Sequence, residues 1–420
     1  MSQPATKHDW QESTLGVIAD INPRETLKKS TTAKAVAMDC LLSFTRKVAG
    51  YQTKEFGGGS KFRNGDTLLA RITPCLENGK TAYVDILDAD EVGFGSTEFI
   101  VIREKNNLSD KKFLYYFAIS PTFREAAIRS MTGTSGRQRV QTDLIANKIF
   151  NFPSAPEQKA IGAVLSVLDD KIELLQNQNN VLEAIAQRIF HEWFIEFNFP
   201  NLEGKPYSKS GGKMTESKVG YIPSEWDSKS LFEVADYING GAFKDSDFSS
   251  EKRGLPVIRI AELKNGFTAQ TNYTEKDLAA KYYLHDEDIL FSWSGSPETS
   301  IDIFIWDKGS AILNQHIFKV VPKDADLKTW VYFLLKHHKS FFIHRAKQKQ
   351  TTGLGHVTVG DLKQHNIPFP SKEAVTKFNA FADPLFRKIV NNLYQIQTLS
   401  TIRDRLLPQL VRGDIRVKNF

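Results

Sequence analysis

Cysteine is scarce in this sequence, which has only Cys40 and Cys75 among its 420 residues. Neither cysteine has a partner in a paired motif, so we do not expect the disulfide framework of a small secreted domain. We interpret both residues as reduced thiols of a cytosolic protein.

Long hydrophobic runs are also missing. No apolar run reaches the roughly 18 residues that a membrane-spanning helix needs, and the start of the chain, residues 1–4, shows no signal-peptide pattern. Hydrophobic residues make up 41% of the chain and charged residues 25%, which is ordinary for a globular protein with a large core. The net charge of +6 permits a polyanionic partner without identifying one.

Recognisable catalytic and metal-binding motifs are absent as well. Gly79-Lys80-Thr81 looks like the end of a phosphate-binding loop, but Pro74 stands where that loop requires glycine. Residues 383–386 superficially match an amino-methyltransferase motif, yet they lie in a heptad pattern and are better interpreted as core. His337-His338 and His344 lack cysteine or carboxylate partners at ligand spacing. We therefore expect no catalytic residue, bound cofactor or metal site in this chain.

One sequence pattern occurs twice. Trp226 lies 216 positions after Trp10, and the residues that follow each tryptophan repeat at the same spacing: Leu15, Ala19 and Asp20, then Leu231, Ala235 and Asp236. Further echoes are Asp66 with Asp288, Asp143-Leu144 with Asp361-Leu362, and Phe152-Pro153 with Phe369-Pro370. Solenoid repeats are only about 20–50 residues long, so this period indicates a duplicated domain. A pseudo-twofold object of this kind suits duplex DNA with two half-sites.

A heptad-patterned segment follows each copy. The first seam is Ile161, Leu165, Leu168, Ile172, Leu175, Asn179, Leu182, Ala186, Ile189 and Trp193. The second seam is Phe378, Ala382, Leu385, Ile389, Asn392, Ile396, Leu399, Arg403, Leu406 and Leu410. Such seams, each with one asparagine that fixes the register, predict a coiled coil. Two ordinary amphipathic core helices are the alternative, but the first segment would be roughly 50 Å long at 1.5 Å per residue.

Pro384 lies early in the second segment, and we expect it to start or kink the long helix at Asp383. If a twofold axis relates the copies and crosses the helices, the helices run antiparallel. Their length then sets the distance between the two globular copies, and between the DNA that each copy contacts.

Each globular copy has the same predicted order of elements. Apolar runs predict strands at 68–72, 82–86 and 99–102, and at 257–260, 289–291, 301–306 and 317–321. One helix is predicted near 110–131 and one near 327–347, each followed by a glycine-containing loop, a short helix and a final strand. Because the strands do not alternate regularly with helices, we predict an α+β fold. The predicted boundaries are 1–153 and 221–370 for the globular domains, 154–198 and 371–412 for the long helices, 199–220 for a solvated linker, and 413–420 for a tail.

The glycine-containing loops are the best candidates for DNA contacts. The first loop contains Thr134, Ser135, Arg137, Gln138 and Arg139, and arginine and glutamine read guanine and adenine through paired hydrogen bonds. The second loop contains Thr352 and His356 and follows the basic residues Arg345, Lys347 and Lys349. Weaker candidates are Arg63, Arg71, Lys80 and Arg259. Any one of these charges alone is better explained as a solvated surface group, but the loops occupy the same place in both copies.

Three stretches resemble the DNA-specificity subunits of Type I restriction–modification systems. The first helical region reads Ala-Pro-Glu-Gln-Lys-Ala-Ile from Ala155, Leu-Asp-Asp-Lys-Ile from Leu168 and Ile-Phe-His-Glu-Trp-Phe from Ile189. Residues 220–226 resemble the entry to the second recognition domain of that family. Residues 402–410 with 413–415 resemble its distal conserved region.

The resemblance implies a non-catalytic subunit with two target-recognition domains separated by a long antiparallel two-helix coiled coil. It implies that each domain reads one half of an asymmetric site in double-stranded DNA. It also implies two adenine-N6 methyltransferase subunits as partners, to which two motor-nuclease subunits can be added; S-adenosylmethionine, ATP and Mg²⁺ serve those subunits. The sequence leaves open whether the nuclease subunits are present. A self-contained nuclease or methyltransferase and a protein-binding coiled-coil adaptor are the rival interpretations.

Overall fold

The computed structural model describes residues 10–134, 136–268, 270–351 and 353–417. These residues form two compact units: residues 10–173 with 398–417, and residues 174–397. We refer to them as unit 1 and unit 2. Ser135 and Thr352, two of the predicted DNA contacts, lie outside the described residues.

The first half of the chain contains twelve strands and five α-helices within its described residues. The strands are β1 Gln11–Thr14, β2 Ala19–Ile21, β3 Thr32–Val36, β4 Gln52–Glu55, β5 Ser60–Phe62, β6 Thr67–Ala70, β7 Thr81–Tyr83, β8 Gly93–Gly95, β9 Phe99–Glu104, β10 Met131–Thr132, β11 Arg139–Val140 and β12 Ile149–Phe152. The helices are α1 Leu15–Ile18, α2 Lys111–Ile119, α3 Pro121–Arg129, α4 Thr142–Ala146 and α5 Ala155–Phe194.

After a short hairpin, β13 Met214–Ser217 and β14 Gly220–Pro223, the second half has a similar order of elements with two additional short helices. Its strands are β15 Asp227–Ser230, β16 Ala235–Asn239, β17 Leu255–Ile258, β18 Tyr273–Thr274, β19 Tyr283–Leu284, β20 Ile289–Ser292, β21 Ser294–Gly295, β22 Asp302–Ile305, β23 Ala311–Leu313, β24 Ile317–Pro322, β25 Gly355–His356 and β26 Asn366–Phe369. Its helices are α6 Leu231–Val234, α7 Ile260–Asn265, α8 Pro297–Ser300, α9 Lys328–His337, α10 Lys339–Gln348, α11 Val359–Gln364 and α12 Lys372–Arg412.

The two units have the same sheet topology. In unit 1 an antiparallel sheet has the order β2-β9-β6-β7, and a second sheet, β4-β3-β8-β5, contains the parallel pair β3–β8. In unit 2 the corresponding orders are β16-β24-β20-β22 and β18-β17-β23-β19, with β17 and β23 parallel. The α+β prediction is therefore confirmed, and so is the duplication. The strands of the second sheet were mostly missed because they are short and several carry charged residues.

Each unit has a main core and a smaller second core. In unit 1 the main core joins α2 to the first sheet and includes Ile161 and Leu165 of α5 with Leu410 of α12. The smaller core lies around Phe62 and Leu68. Unit 2 has the same two-part arrangement. The long helices are thus built into the globular cores as well as paired with each other.

Three helix predictions need correction. The helix predicted near 110–131 is two helices, because Ser120 ends α2 in an extended conformation and accepts a bond from the Phe123 amide (3.4 Å) at the start of α3. Its counterpart near 327–347 is likewise divided at His338. The long second helix begins at Lys372 and continues through Pro384 instead of starting at Asp383. Buried Ala382 and Phe386 on either side of this exposed proline hold that part of the helix in the core.

In unit 1 the helical segments 155–173 and 398–412 run antiparallel. Asp169 accepts a 2.8 Å bond from Arg403, while Glu157, near the start of α5, accepts a 2.8 Å bond from Arg416, just beyond the end of α12. Of the predicted seam residues in this unit, Ile161, Leu165, Ile172 and Leu410 are buried, and Leu168, Leu399 and Leu406 are half-buried.

In unit 2 the segments 174–194 and 372–397 also run antiparallel. The amide of Asn392 donates to Oδ1 of Asn179 (2.8 Å), and the Asn179 amide donates to the carbonyl of Ile389 (3.3 Å). The two asparagines of the seams therefore meet. Leu175, Phe378 and Ile389 are buried, and the half-buried seam residues are Leu182, Ile189, Trp193, Leu385 and Ile396.

Burial shifts away from the predicted seam in the last turns of α5. The seam residue Ala186 is still fully buried, but after it Phe190 and Phe194 are nearly inaccessible, whereas the predicted seam residues Ile189 and Trp193 are only half-buried. The reason is that α5 packs on the globular core of unit 2 at this point, and the Phe194 ring lies 5.9 Å from that of Trp330. A heptad pattern does not distinguish a helical partner from a globular one.

The segment predicted as a solvated linker is partly folded. Phe199 stacks between Trp226 and Tyr207, with ring centroids 5.0 and 4.7 Å away, and β13 and β14 form a hairpin. Glycine, serine and lysine predicted a flexible connection, but the aromatic residues among them attach the segment to the core of unit 2.

The duplicated aspartates have two different explanations. Asp66 and Asp288 are true equivalents. Each accepts a backbone hydrogen bond in the turn before a central strand, and each pairs with a basic residue of the neighbouring strand in the sheet, Arg103 or Lys319. The Asp-Leu echo is out of register, because Leu144 is 59% exposed whereas Leu362 is fully buried. Ile145, also buried, is the structural equivalent of Leu362.

Candidate nucleic-acid interface

The glycine-containing loop of unit 1 is anchored at both of its ends. β10 and β11 pair through Met131 with Val140, and the amide of Val140 donates to the carbonyl of Arg71 (2.8 Å). Thr73 donates its amide to the carbonyl of Gln138 (3.0 Å). Between these anchors Thr134 and Arg137 are exposed and Gln138 is half-buried. The loop is thereby held against the end of β6.

Two of the predicted arginines meet on one carboxylate. Arg139 donates from Nε and Nη2 to Glu98, at 3.0 and 2.7 Å, and the Nε atom of Arg71 lies 3.5 Å from the same carboxylate. Hydrogen bonds from Arg139 hold the pKa of Glu98 below its usual value and raise the pKa of Arg139. The side chains of Arg71, Glu98 and Arg139 are 34%, 23% and 39% exposed, so water or a ligand reaches all three. We call these three residues the first cluster.

Unit 2 repeats the backbone of this site with different side chains. The amide of Val357 donates to the carbonyl of Trp293 (2.8 Å), as Val140 does to Arg71. The amide of Trp293 donates to the carbonyl of His316 (3.3 Å), as Arg71 does to Glu98.

The third position is matched through strand pairing. Ser294 pairs with His356, as Ile72 pairs with Arg139. Trp293, His316 and His356 are thus the equivalents of Arg71, Glu98 and Arg139, and we call them the second cluster.

Within the second cluster, Trp293 is held in place by its neighbours. Nε1 of Trp293 donates to Oδ1 of Asn239 (3.1 Å), and the indole stacks 5.4 Å from the ring of Phe318. The His316 ring lies 5.3 Å from Trp293, on an exposed residue with a φ of 78°. An exposed histidine and a partly exposed tryptophan therefore take the place of the carboxylate and one arginine.

The loop next to the second cluster differs from its counterpart. Thr351 and Leu354 exchange backbone bonds of 2.9 and 3.0 Å, which form a tight turn with Leu354 59% exposed at its end. The basic residues before this turn have partners of their own: Arg345 lies over the ring of Phe341 and bonds Gln348, and Lys347 pairs with Glu298. The predicted loop is present, but its position equivalent to Arg139 is a half-buried histidine.

The remaining predicted DNA contacts have partners within the fold. Arg63 bonds Glu25 at 2.6 Å, and Lys80 bonds the carbonyl of Met38 at 3.1 Å. Arg259 pairs with Glu262, and Lys349 pairs with Asp361 at the start of α11. These bonds stabilise turns and helix starts. A role of these four residues in DNA binding stays a prediction.

Comparison with known proteins identifies the family. The family described as "Type I restriction modification DNA specificity domain" matches residues 7–184 and, a second time, residues 223–398. The chain belongs to this family. Its members recognise DNA sequence within a Type I restriction–modification complex and do not catalyse the reaction, and this chain is such a specificity subunit.

Individual relatives cover most of the chain. The MjaIX specificity subunit of Methanocaldococcus jannaschii is 28% identical over 316 residues, which are 74% of this chain and 70% of that protein. The EcoAI specificity subunit of Escherichia coli is 30% identical over an alignment of 473 positions that covers 93% of this chain and 79% of that protein. The crystal structure of the S subunit from M. genitalium shares the fold, with 17% identity, 96% coverage of both chains and a TM-score of 0.53.

Several members of the two clusters of this specificity subunit were not predicted from the sequence. Glu98, Trp293 and His316 lie in no recognisable motif, and only a strand-by-strand comparison of the two copies makes them equivalent positions. Across the described ranges, no group of three or more potential metal ligands and no helix suited to crossing a membrane occurs.

Proposed function

We propose that the specificity subunit reads a bipartite, asymmetric site in duplex DNA, one half with each unit. The main support is that two copies of one fold present clusters at the same backbone position but with different chemistry. Equivalent positions are expected to meet equivalent parts of two half-sites, and different side chains are expected to select different bases. An asymmetric sequence follows from this difference.

We further propose that α5 and α12 set the spacing between the half-sites and bind the methyltransferase subunits. Apolar side chains remain exposed along α5, namely Val164 and Val167 in unit 1 and Leu174, Val181 and Ile185 in unit 2. Exposed apolar stripes on a helix are typical of surfaces that a partner covers. We propose two methyltransferase subunits as these partners and two motor-nuclease subunits in the complete complex. S-adenosylmethionine, ATP and Mg²⁺ are then bound by those subunits, in the cytoplasm.

We expect the chain, purified with its methyltransferase partner, to direct adenine methylation to one bipartite motif. The measurement is sequencing of the modified adenines in a randomised duplex library. The expected motif has two specified half-sites separated by unspecified bases. A single continuous motif, or methyl transfer by the isolated chain without its partner, would contradict the proposal.

We expect a paired insertion of seven residues, one heptad in α5 and one in α12, to lengthen the unspecified gap and leave both half-sites unchanged. A full heptad preserves the facing of the helical seam, so the asparagine pair can still form. The same library measures the result. An insertion in only one helix is the control and should reduce modification. Altered half-site bases with an unchanged gap would refute a spacing role for the helices.

A further inference from the structure

The duplicated fold keeps its structural residues and changes its exposed ones. Asp66 and Asp288 close the same turn, and buried Val140 and Val357 hold the same loop end. The first and second clusters lie at the same backbone positions of the two units and have no residue type in common. The fold forms with either set of cluster side chains, so packing does not explain why the two sets differ. The difference is explained if each unit contacts a different ligand surface.

One side chain in each cluster is fixed by its neighbours. Arg139 is held by two of its nitrogens, and Trp293 is held by Asn239 and the ring of Phe318. Ordering a side chain before binding lowers the entropy lost on binding. Pre-ordered, partly exposed donors and rings are what a base-reading surface needs.

The geometry of Arg139 favours a particular base. Glu98 accepts from Nε and Nη2, and among the described residues no hydrogen bond involves Nη1. The outer Nη1–Nη2 edge of the guanidinium therefore still has two donors available. Guanine presents O6 and N7 side by side in the major groove, which is the acceptor pair that fits this edge. Arg71 lies beside the same carboxylate, with its Nε atom 3.5 Å away, and its guanidinium is of the same paired-donor type.

We infer that Arg139 and Arg71, positioned by Glu98, read the guanine edge of G·C pairs in the half-site bound by unit 1. The second cluster then specifies a base pair at the equivalent place in the other half-site without an arginine, through Trp293 and His316. This inference rests on the proposed function and adds a named base class and named residues to it.

The test uses the full chain in complex with its methyltransferase partner and a randomised duplex library. Arg139→Lys retains the charge but loses the fork, so phosphate affinity should persist. The preference for guanine at one position should fall by roughly 5- to 150-fold, the range of a good bidentate contact. Arg71→Lys should act in the same half-site, and Trp293→Ala should relax one position in the other half-site only. Arg129→Ala, whose side chain is 83% exposed, is the matched control and should change neither.

The role of Glu98 in positioning the two arginines is tested by a separate variant. Glu98→Gln should weaken the same guanine preference, while binding to non-specific duplex is unchanged or tighter because a negative charge is removed. Thermal unfolding of every variant checks that the fold is intact, and Arg71→Lys, in the same half-site, keeps the inference testable if Arg139→Lys does not fold.

The outcomes distinguish a failure of the proposed function from a failure of the inference about Arg139 and Arg71. A wild-type complex that modifies no defined bipartite site overturns the proposed function and this inference with it. A defined site that lacks G·C in both halves overturns only the inference, as does a site whose preferences Arg139→Lys and Arg71→Lys leave unchanged. Uniformly weaker modification of all sequences identifies the arginines as phosphate contacts and also overturns it.

Discussion

Replacing Arg403 by alanine is expected to destabilise unit 1 by about 3–5 kcal/mol, the usual cost of removing one partner of a buried ion pair. Asp169 is only 3% exposed and accepts bonds from Arg403 (2.8 Å) and from the hydroxyl of Tyr116 (2.6 Å). Burial acts to lower the pKa of Arg403, but the charges and hydrogen bonds of Asp169 and Asp404 together outweigh it and raise that pKa. Without the arginine, the carboxylate keeps one neutral hydrogen bond in a site that water hardly reaches.

The measurement is chemical denaturation combined with hydrogen exchange of the segments 160–173 and 398–410. Arg188→Ala is the control, because Arg188 is 73% exposed in its pair with Glu192, and such surface pairs contribute about 1 kcal/mol or less. A double variant, Asp169→Leu with Arg403→Met, should recover part of the loss, since no unpaired charge remains, while the buried hydroxyl of Tyr116 loses its acceptor. Arg403→Ala with an effect as small as that of Arg188→Ala would show that Asp169 is not effectively buried.

This ion pair also shows which features the heptad pattern of the sequence predicts and which it does not. The pattern predicted Arg403 as a seam position, and the residue does face the other helix. It gave no sign that Asp169, one residue after the seam position Leu168, would be its partner. Periodicity identifies which face of a helix is covered, whereas a specific charged pair depends on register between segments over two hundred residues apart.

The same limit applies to the candidate site. The duplication and the glycine-containing loops were visible in the sequence, and they led to Arg137, Gln138 and Arg139. Glu98 and His316 were missed because they precede strands and carry no motif. The repeated Asp-Leu pair at Asp143 and Asp361 is out of register by one residue in the structure. Comparing identical residue types between the copies is therefore less reliable than comparing buried positions.

Acid is expected to destabilise unit 2 through a group of histidines. Burial, with His365 and His337 nearby, lowers the pKa of His338 to about 3. Nδ1 of His338 lies 3.3 Å from Nε2 of His365, whose ring stacks 3.8 Å from that of Phe341. Burial also lowers the pKa values of His365 and His337, with Arg345 acting on His365 and His191 on His337.

The sign follows from comparing folded and unfolded chains. An unfolded histidine binds a proton near pH 6.5, whereas folded His338 stays neutral until about pH 3. The unfolded state therefore takes up protons first as the pH falls. The stability that neutral His338 provides is fully present above pH 6.5 and is lost progressively down to about pH 3.

Between pH 7 and pH 5, before most carboxylates titrate, we expect the free energy of unfolding of unit 2 to fall. Each histidine can contribute at most about 1.4 kcal/mol per pH unit to the slope of the unfolding free energy against pH. We expect the contribution of His338 to approach this limit. Denaturation midpoints across this range measure it, and NMR titration of the histidine ring protons follows His338 directly. His338→Phe should flatten the slope while resembling wild type at pH 8, and His365→Gln is a second variant if phenylalanine does not fit. A His338 ring that titrates near pH 6.5 in the folded chain would contradict the burial on which this prediction depends.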